Sequence, residues 1–231
     1  MSRRNKLQKF AEVFSFPNVY ENLDPETSSL FGENGKEVVL KGHWCERHFN
    51  NSQPLTLELA CGRGEYTVGL AERFPERNFV GVDIKGARIW KGAKAALAKG
   101  LPNAAFLRTR IEMIGQFFEA NEVDEIWITF PDPFLRNSKS NRRLTSQPFL
   151  DRYQGILKKG GFIHLKTDEP ALYDFTLLTL SEQKTYTLEY SDDDIYAKPL
   201  PLPELEIKTY YERQHLANGK TIKYLRYKLG D

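Results

Sequence analysis

No stretch of about eighteen apolar residues occurs in this 231-residue chain, so the sequence offers no membrane-spanning helix. Cysteine is scarce. Cys45 and Cys61 are too few for a disulfide framework and lack metal-ligand spacing, which argues against a stapled secreted scaffold and fits a reducing compartment. The four histidines, His43, His48, His164 and His215, stand at no spacing suited to a metal or a catalytic triad, so structural or surface roles are expected and no metal. The first ten residues carry Arg3, Arg4, Lys6 and Lys9 without an acid, but no apolar segment and small-residue cleavage site follow as a signal peptide would need. A soluble cytoplasmic protein is expected. Net charge is also nearly absent, 33 − 31 = +2, and by itself predicts no partner.

What is present is unevenly placed. Basic residues gather at the N-terminus, in the loop Arg136, Lys139, Arg142 and Arg143, and in the segment Ile207 to Leu229, where Lys208, Arg213, Lys220, Lys223, Arg226 and Lys228 face a single acid, Glu212. Each cluster alone reads as a solvated face, whereas three converging on one side would make a polyanion footprint. At 40% hydrophobic and 13% aromatic the chain can bury an ordinary core, and its length suits one domain with an extension. Residues 1–50 lack clean periodicity and read as an N-terminal extension packed on a main domain of residues 51–231.

Within that domain, apolar runs of strand length alternate with segments of helical period, the pattern of a mostly parallel twisted sheet with helices on both faces. LTLELA (55–60), NFVGVDI (78–84), AAFLRTR, DEIWITF (124–130) and GFIHLKTD (161–168) read as strands, the last entered through a turn at KKGG. TYTLEYSD and KTIKYLRYKL read as a closing antiparallel pair, joined by an acidic, proline-rich surface loop. Ligands of such sheets bind at the carboxyl ends of the strands. There the first strand carries Glu58, Gly62 and Gly64, and the second ends at Asp83. Glycines admit a tight turn and close approach to a ligand, although a lone G-x-G is also a plain strand-to-helix turn. An acid nineteen residues on suits a ribose diol. Thr67 stands where a dinucleotide fingerprint wants its third glycine, and a buried acid beside a pyrophosphate has no use. A cationic, phosphate-free nucleoside fits both acids, which favours S-adenosylmethionine over NAD.

The fourth strand runs into FPDPFLRNSKSNRRL, where two prolines restrict the backbone around Asp132. A turn acid or helix cap is the plain alternative for that carboxylate. The loop that follows offers Arg136, Lys139, Arg142 and Arg143, with Ser138 among its polar filler, as a grip for phosphates. The fifth strand ends in Asp168, either a helix N-cap or a contact to a substrate base.

ELACGRGEY, NFVGVDIKGAR, WITFPDPF with its N-R-R-L continuation, HLKTD and KTYYERQ resemble the bacterial tRNA (guanine-N7-)-methyltransferases from about residue 40 to the end. The resemblance implies an α/β, Rossmann-like class I methyltransferase fold that methylates N7 of a guanine in the tRNA variable loop from S-adenosylmethionine, releasing S-adenosylhomocysteine. It implies that Glu58, Asp83 and Asp132 line the cofactor site, with Asp132 catalytic, that Arg136, Asp168 and Thr209 to Glu212 contact substrate, and that Ser138 to Arg143 meet the RNA. Apart from the resemblance, the N-terminal extension is expected near that RNA. Two departures stand out: Arg136 replaces a usual lysine, and Arg110 occupies the position of an adenine-contacting acid, with Glu112 nearby. Ala60 replaces the first glycine of the family's loop. Methylation of another RNA, a protein or a small molecule, and an inactive RNA-binding protein on this fold, stand as alternatives. Monomer and homodimer are both open.

Overall fold

Two strands buried at every position, Leu55–Leu59 and Asn78–Asp83, set the pattern of the N-terminal half, because a parallel strand covered on both faces needs an almost unbroken apolar run. The structure is a computed structural model that describes residues 5–22 and 24–230, in two compact units that part between Glu119 and Ala120. Arg3 and Arg4 lie outside the described residues. No described helix is long and apolar enough to cross a membrane.

The first unit runs α1 (Lys6–Phe14), β1 (Val19–Glu21), β2 (Leu30–Phe31), β3 (Glu37–Val38), β4 (Leu55–Leu59), α2 (Glu65–Arg73), β5 (Asn78–Asp83), α3 (Gly86–Ala98) and β6 (Ala104–Arg108). Its strand order is β3-β2-β1-β6-β5-β4. Strands β1, β6, β5 and β4 are parallel, and β2 and β3 add antiparallel at the edge. The segment before residue 50 thus supplies strands, with Val19, Tyr20 and Glu21 opposite Phe106, Leu107 and Arg108. Helix α1 begins with a capping box between Asn5 and Gln8, and its Glu12 accepts from Trp90 Nε1 of α3 at 2.9 Å. Helix α2 stops before Pro75, where the Asn103 amide donates to the carbonyls of Ala71, Phe74 and Arg77 and so satisfies its C-terminal acceptors.

The second unit runs β7 (Val123–Thr129), α4 (Gln147–Gln154), β8 (Leu157–Thr167), α5 (Pro170–Ser181), β9 (Tyr186–Asp192), α6 (Tyr210–Ala217) and β10 (Lys223–Leu229), in strand order β7-β8-β10-β9. Strands β7 and β8 are parallel, while β10 lies antiparallel between β8 and β9. Two expectations are corrected here and one element is added. KKGG is an excursion inside β8: Val123 pairs with Leu157 but Glu125 with Phe162, and Gly160 at φ +74° carries the extra residues. The acidic connection is not simply a surface loop, because Ile195 and Leu205 are fully buried and anchor it. The basic segment after Ile207 contains α6, whose start is fixed by a Thr209–Glu212 capping box that the charge pattern hid.

An aromatic cluster ties the N-terminal segment into its unit. Trp44 stacks on Phe118 at 5.2 Å and donates to the Phe117 carbonyl, while Tyr20 packs edge-on to Trp44 and its hydroxyl meets His48 Nδ1 at 2.6 Å. Burial lowers the His48 pKa to about 4. The unfolded chain takes up this proton near its ordinary value of about 6.5 and the folded one only near 4, so the unfolded state binds more protons between them. Stability from this site is therefore full above about pH 6.5 and declines as pH falls toward 4, by roughly 3 kcal/mol. Denaturant titrations should show that excess loss in the native protein and not in His48→Phe.

Candidate active site

The carboxyl end of β4 turns into α2 through Ala60–Gly64, and here Ala60, Gly62 and Gly64 all take left-handed backbone at φ +57°, +56° and +66°. Gly64 is required twice over: a Cβ there would lie 2.5 Å from the Phe106 ring and 3.1 Å from Gly92 Cα. Gly62 is different, since a Cβ there would meet nothing nearer than the Ala60 carbonyl at 3.9 Å, which leaves open ground above the turn. Glu58 is buried, and its Oε2 accepts from the Thr67 amide at 2.8 Å and from the Thr67 hydroxyl, pinning the first turn of α2 where a helix N-terminus favours negative charge. Asp83 accepts from the Gly62 amide at 2.9 Å and the Lys85 amide at 2.8 Å, one on each oxygen. A carboxylate has about four acceptor sites, so each oxygen retains capacity for a diol. Burial, then the charges of Glu58 and Asp83, push the Cys61 thiol well above its ordinary pKa, so it stays neutral. Arg110 and Glu112 are both exposed beyond β6. Next to them the Thr109 hydroxyl is buried without a hydrogen-bond partner. Nothing in the sequence singled Thr109 out. The open turn, the two acids and this orphan hydroxyl are together the chemistry that a cationic nucleoside such as S-adenosylmethionine needs.

In the second unit the informative backbone follows β7. Six described residues other than glycine have positive φ; Asn34, Asn50 and Asn121 are of the type that tolerates it, and the others are Ala60, Phe130 at +50° and Phe134 at +41°. Two bulky residues in a disfavoured conformation thus flank Asp132 at equal distance in sequence, a strain that persists only where the surroundings enforce it. Asp132 is exposed, and its Oδ1 accepts from the Phe134 amide at 3.2 Å. Arg136, Ser138, Lys139 and Arg142 are exposed on and beside a short helical turn, with the Arg142 guanidinium 5.1 Å from the Phe134 ring centroid. Arg143 departs from the expected phosphate grip: it is buried, its Nε donates to the Pro133 carbonyl at 3.0 Å and its Nη2 to the Phe134 carbonyl at 3.1 Å.

Asp168 follows β8 directly, but the cap of α5 is Glu169, whose side chain accepts from the Ala171 amide at 3.2 Å. Asp168 instead holds Lys220 and lies 3.3 Å from His215 Nδ1, whose ring stacks on Phe130 at 5.8 Å. Of the C-terminal basic cluster, Lys220 is therefore engaged, Lys223 is buried on the Thr221 hydroxyl at 2.7 Å, and Arg226 lies over the Phe162 ring. Thr209 accepts from the Glu212 amide at 3.2 Å, and Glu212 is fully buried, so its carboxylate acts inside the fold: it meets Lys166 Nζ at 2.7 Å and accepts from the Tyr196 hydroxyl at 2.5 Å. Lys166 also donates to the carbonyls of Leu205 and Ile207. Burial pushes the Lys166 ammonium down from its ordinary range, against the pull of Glu212. The pair was not legible in advance, because its members stand 46 positions apart in the chain. Tyr210 and Tyr211 remain 43% and 44% exposed at the start of α6, apolar area open to a ligand. Among the described residues no cluster of histidine, cysteine and acid could hold a metal ion.

The chain matches the model of a methyltransferase family over residues 52–225. It is 46% identical over 231 residues to the tRNA (guanine-N(7)-)-methyltransferase of Christiangramia forsetii, spanning 99% of this chain and 100% of that protein. It is 47% identical over 226 residues to the protein of the same name from Porphyromonas gingivalis, spanning 97% and 87%. Among solved structures, the 16S rRNA methyltransferase KamB matches with a TM-score of 0.61 at 17% identity, over 85% of this chain and 97% of its own. A 16S rRNA (adenine(1408)-N(1))-methyltransferase with cosubstrate SAM from Catenulisporales acidiphilia matches at 0.58 and 17%, over 85% and 94%. At such identities the likeness is one of fold.

Two stability changes test the backbone and the buried pair. Ala60→Gly should raise unfolding free energy by about 1 kcal/mol, since it relieves a left-handed alanine. Lys166→Met should cost about 3–5 kcal/mol by leaving a buried carboxylate without its cation, and adding Glu212→Leu should return much of it. Denaturant melts of the three variants check both outcomes.

Proposed function

We propose, for a chain that belongs to the tRNA (guanine-N7-)-methyltransferase family, that it moves the methyl group of S-adenosylmethionine to N7 of a guanine in the tRNA variable loop. The fold is the α/β, Rossmann-like class I methyltransferase fold. S-adenosylmethionine, when bound, supplies a methyl group on a sulfonium, whose S–C electron pair returns to sulfur and leaves S-adenosylhomocysteine. Glu58 would hold the cationic end by charge and Asp83 the ribose hydroxyls, with Gly62 leaving the backbone bare for approach. Thr109 and the backbone at Arg110 would receive the base, where the family's usual acid is missing.

Guanine N7 already carries an in-plane lone pair, so no proton need leave before the N–C bond forms. Strong base catalysis is unnecessary, and the protein's work is alignment and charge. As the bond forms, positive charge grows on the purine, and Asp132 is the fixed carboxylate that stabilises it. The strained turn around Asp132 is the observation that carries this assignment. Asp168 would accept from the guanine N1 and N2 hydrogens, replacing Lys220 on its carboxylate. Arg136, Lys139 and Arg142, with Ser138, would take phosphates from the exposed turn. Thr209 and Glu212 would act on substrate through the α6 N-terminus that they build, where Tyr210 and Tyr211 stand open for a displaced base. The proposed chemistry needs no metal, and a tRNA substrate would be met in the cytoplasm.

Incubation with labelled S-adenosylmethionine and unmodified tRNA, followed by cleavage specific for N7-methylguanine, should mark one guanine of the variable loop. Asp132→Asn should lower kcat by about 10²-fold or more while the Kd for S-adenosylmethionine holds within about twofold. Equal losses in both would make Asp132 a cofactor ligand only.

A further inference from the structure

Two consecutive arginines at the end of the exposed turn have opposite burial. Arg142 points to solvent over Phe134, whereas Arg143 is only 6% exposed, with its guanidinium 4.3 Å from the Phe175 ring centroid. The two carbonyls it holds belong to Pro133 and Phe134, the residues immediately after Asp132. The peptide unit joining those residues carries two bonds at once. Its carbonyl accepts from Arg143 Nε at 3.0 Å, and its N–H, on the Phe134 side, donates to Asp132 Oδ1 at 3.2 Å. A peptide unit is planar, so fixing its oxygen fixes the direction of its hydrogen. A charged donor on the carbonyl also polarises the N–H toward the carboxylate. The same residue closes the exposed turn, its amide donating to the Ser140 carbonyl at 3.0 Å.

We infer that Arg143 is a positioning residue for Asp132: it locks the Pro133–Phe134 peptide in its strained orientation and through it aims the carboxylate, and it makes no phosphate contact. This rests on Asp132 being the catalytic carboxylate. A guanidinium suits this position because its rigid planar fork donates through Nε and Nη2 to two carbonyls at once while its central carbon lies 4.3 Å from the Phe175 ring centroid, a fixed geometry that the flexible point charge of an ammonium does not reproduce.

The test compares Arg143→Met, Arg143→Lys, Arg142→Ala, Asp132→Asn and the double variant Asp132→Asn/Arg143→Met. It measures single-turnover methylation, tRNA affinity against salt, S-adenosylmethionine uptake and thermal stability. Arg143→Met should lose about 10²-fold in turnover, as expected for a misplaced catalytic group. Its tRNA affinity and salt slope should stay native, whereas Arg142→Ala should lower the slope by about one. Arg143→Lys should not restore turnover, but millimolar guanidinium should restore part of it in Arg143→Met. The double variant should be no slower than Asp132→Asn alone, since Arg143 acts through Asp132. A reduced salt slope in Arg143→Met would make it a phosphate contact and overturn the inference. So would losses that multiply in the double variant, or a loss that follows melting temperature and S-adenosylmethionine uptake and ignores guanidinium. Asp132→Asn at full turnover would defeat the catalytic assignment and this inference with it; a slow Asp132→Asn beside a fully active Arg143→Met would defeat this inference alone.

Discussion

A lysine ammonium and a glutamate carboxylate with no exposed side-chain surface meet at 2.7 Å between the end of β8 and the first turn of α6, and the candidate substrate half of the protein hangs on that meeting. Neither charge could stay in the interior alone, because desolvating an ion costs several kcal/mol unless a partner and further hydrogen bonds replace water. Lys166 finds two carbonyls besides Glu212, and Glu212 finds the Tyr196 hydroxyl and the Thr209 amide. Between them they fasten a strand, a helix and the long acidic connection at one point. The consequence reaches Asp168, two residues past Lys166, because the docked helix presents His215 to it. A buried ion pair contributes little net stability, but it leaves few other ways to arrange the groups it joins.

Backbone conformation carries as much chemistry here as side chains do. At the end of β4 the left-handed residues are two glycines and an alanine, so only Ala60 adds strain, and the turn leaves room above Gly62. At the end of β7 they are two phenylalanines, and the cost is real. In the proposed function the first turn lets a ligand in close, and the second, held by its neighbours, gives one carboxylate a set direction. Enzymes that do no proton chemistry depend on such direction, since alignment and fixed charge are what they can offer.

The alternation of apolar runs made the parallel strands visible because a strand buried on both faces must be apolar throughout, as β4 and β5 are. Helix α6 was hidden because its stabilising features are a capping box and one buried acid, and no apolar stripe of helical period marks a buried face. KKGG reads as a turn in any local view, yet the ladder continues across it, since β7 supplies partners on both sides of the excursion. Arg142 and Arg143 look equivalent in sequence. Only the position of Phe175 and of two carbonyls separates a solvent-facing cation from a clamp.

What the amino-acid sequence made legible by itself was the proposed class of ligand: two acids at strand ends with glycines in the turn between favour a cationic nucleoside, because charge and conformational freedom are properties of residue types. What only the tertiary structure decided was which charges remain available. Lys166, Glu212, Lys223 and Arg143 are consumed inside the fold, while Arg142, Lys139 and Asp132 stay outside it. Pairing between residues far apart in the chain depends on where the backbone brings them, and no local pattern records that.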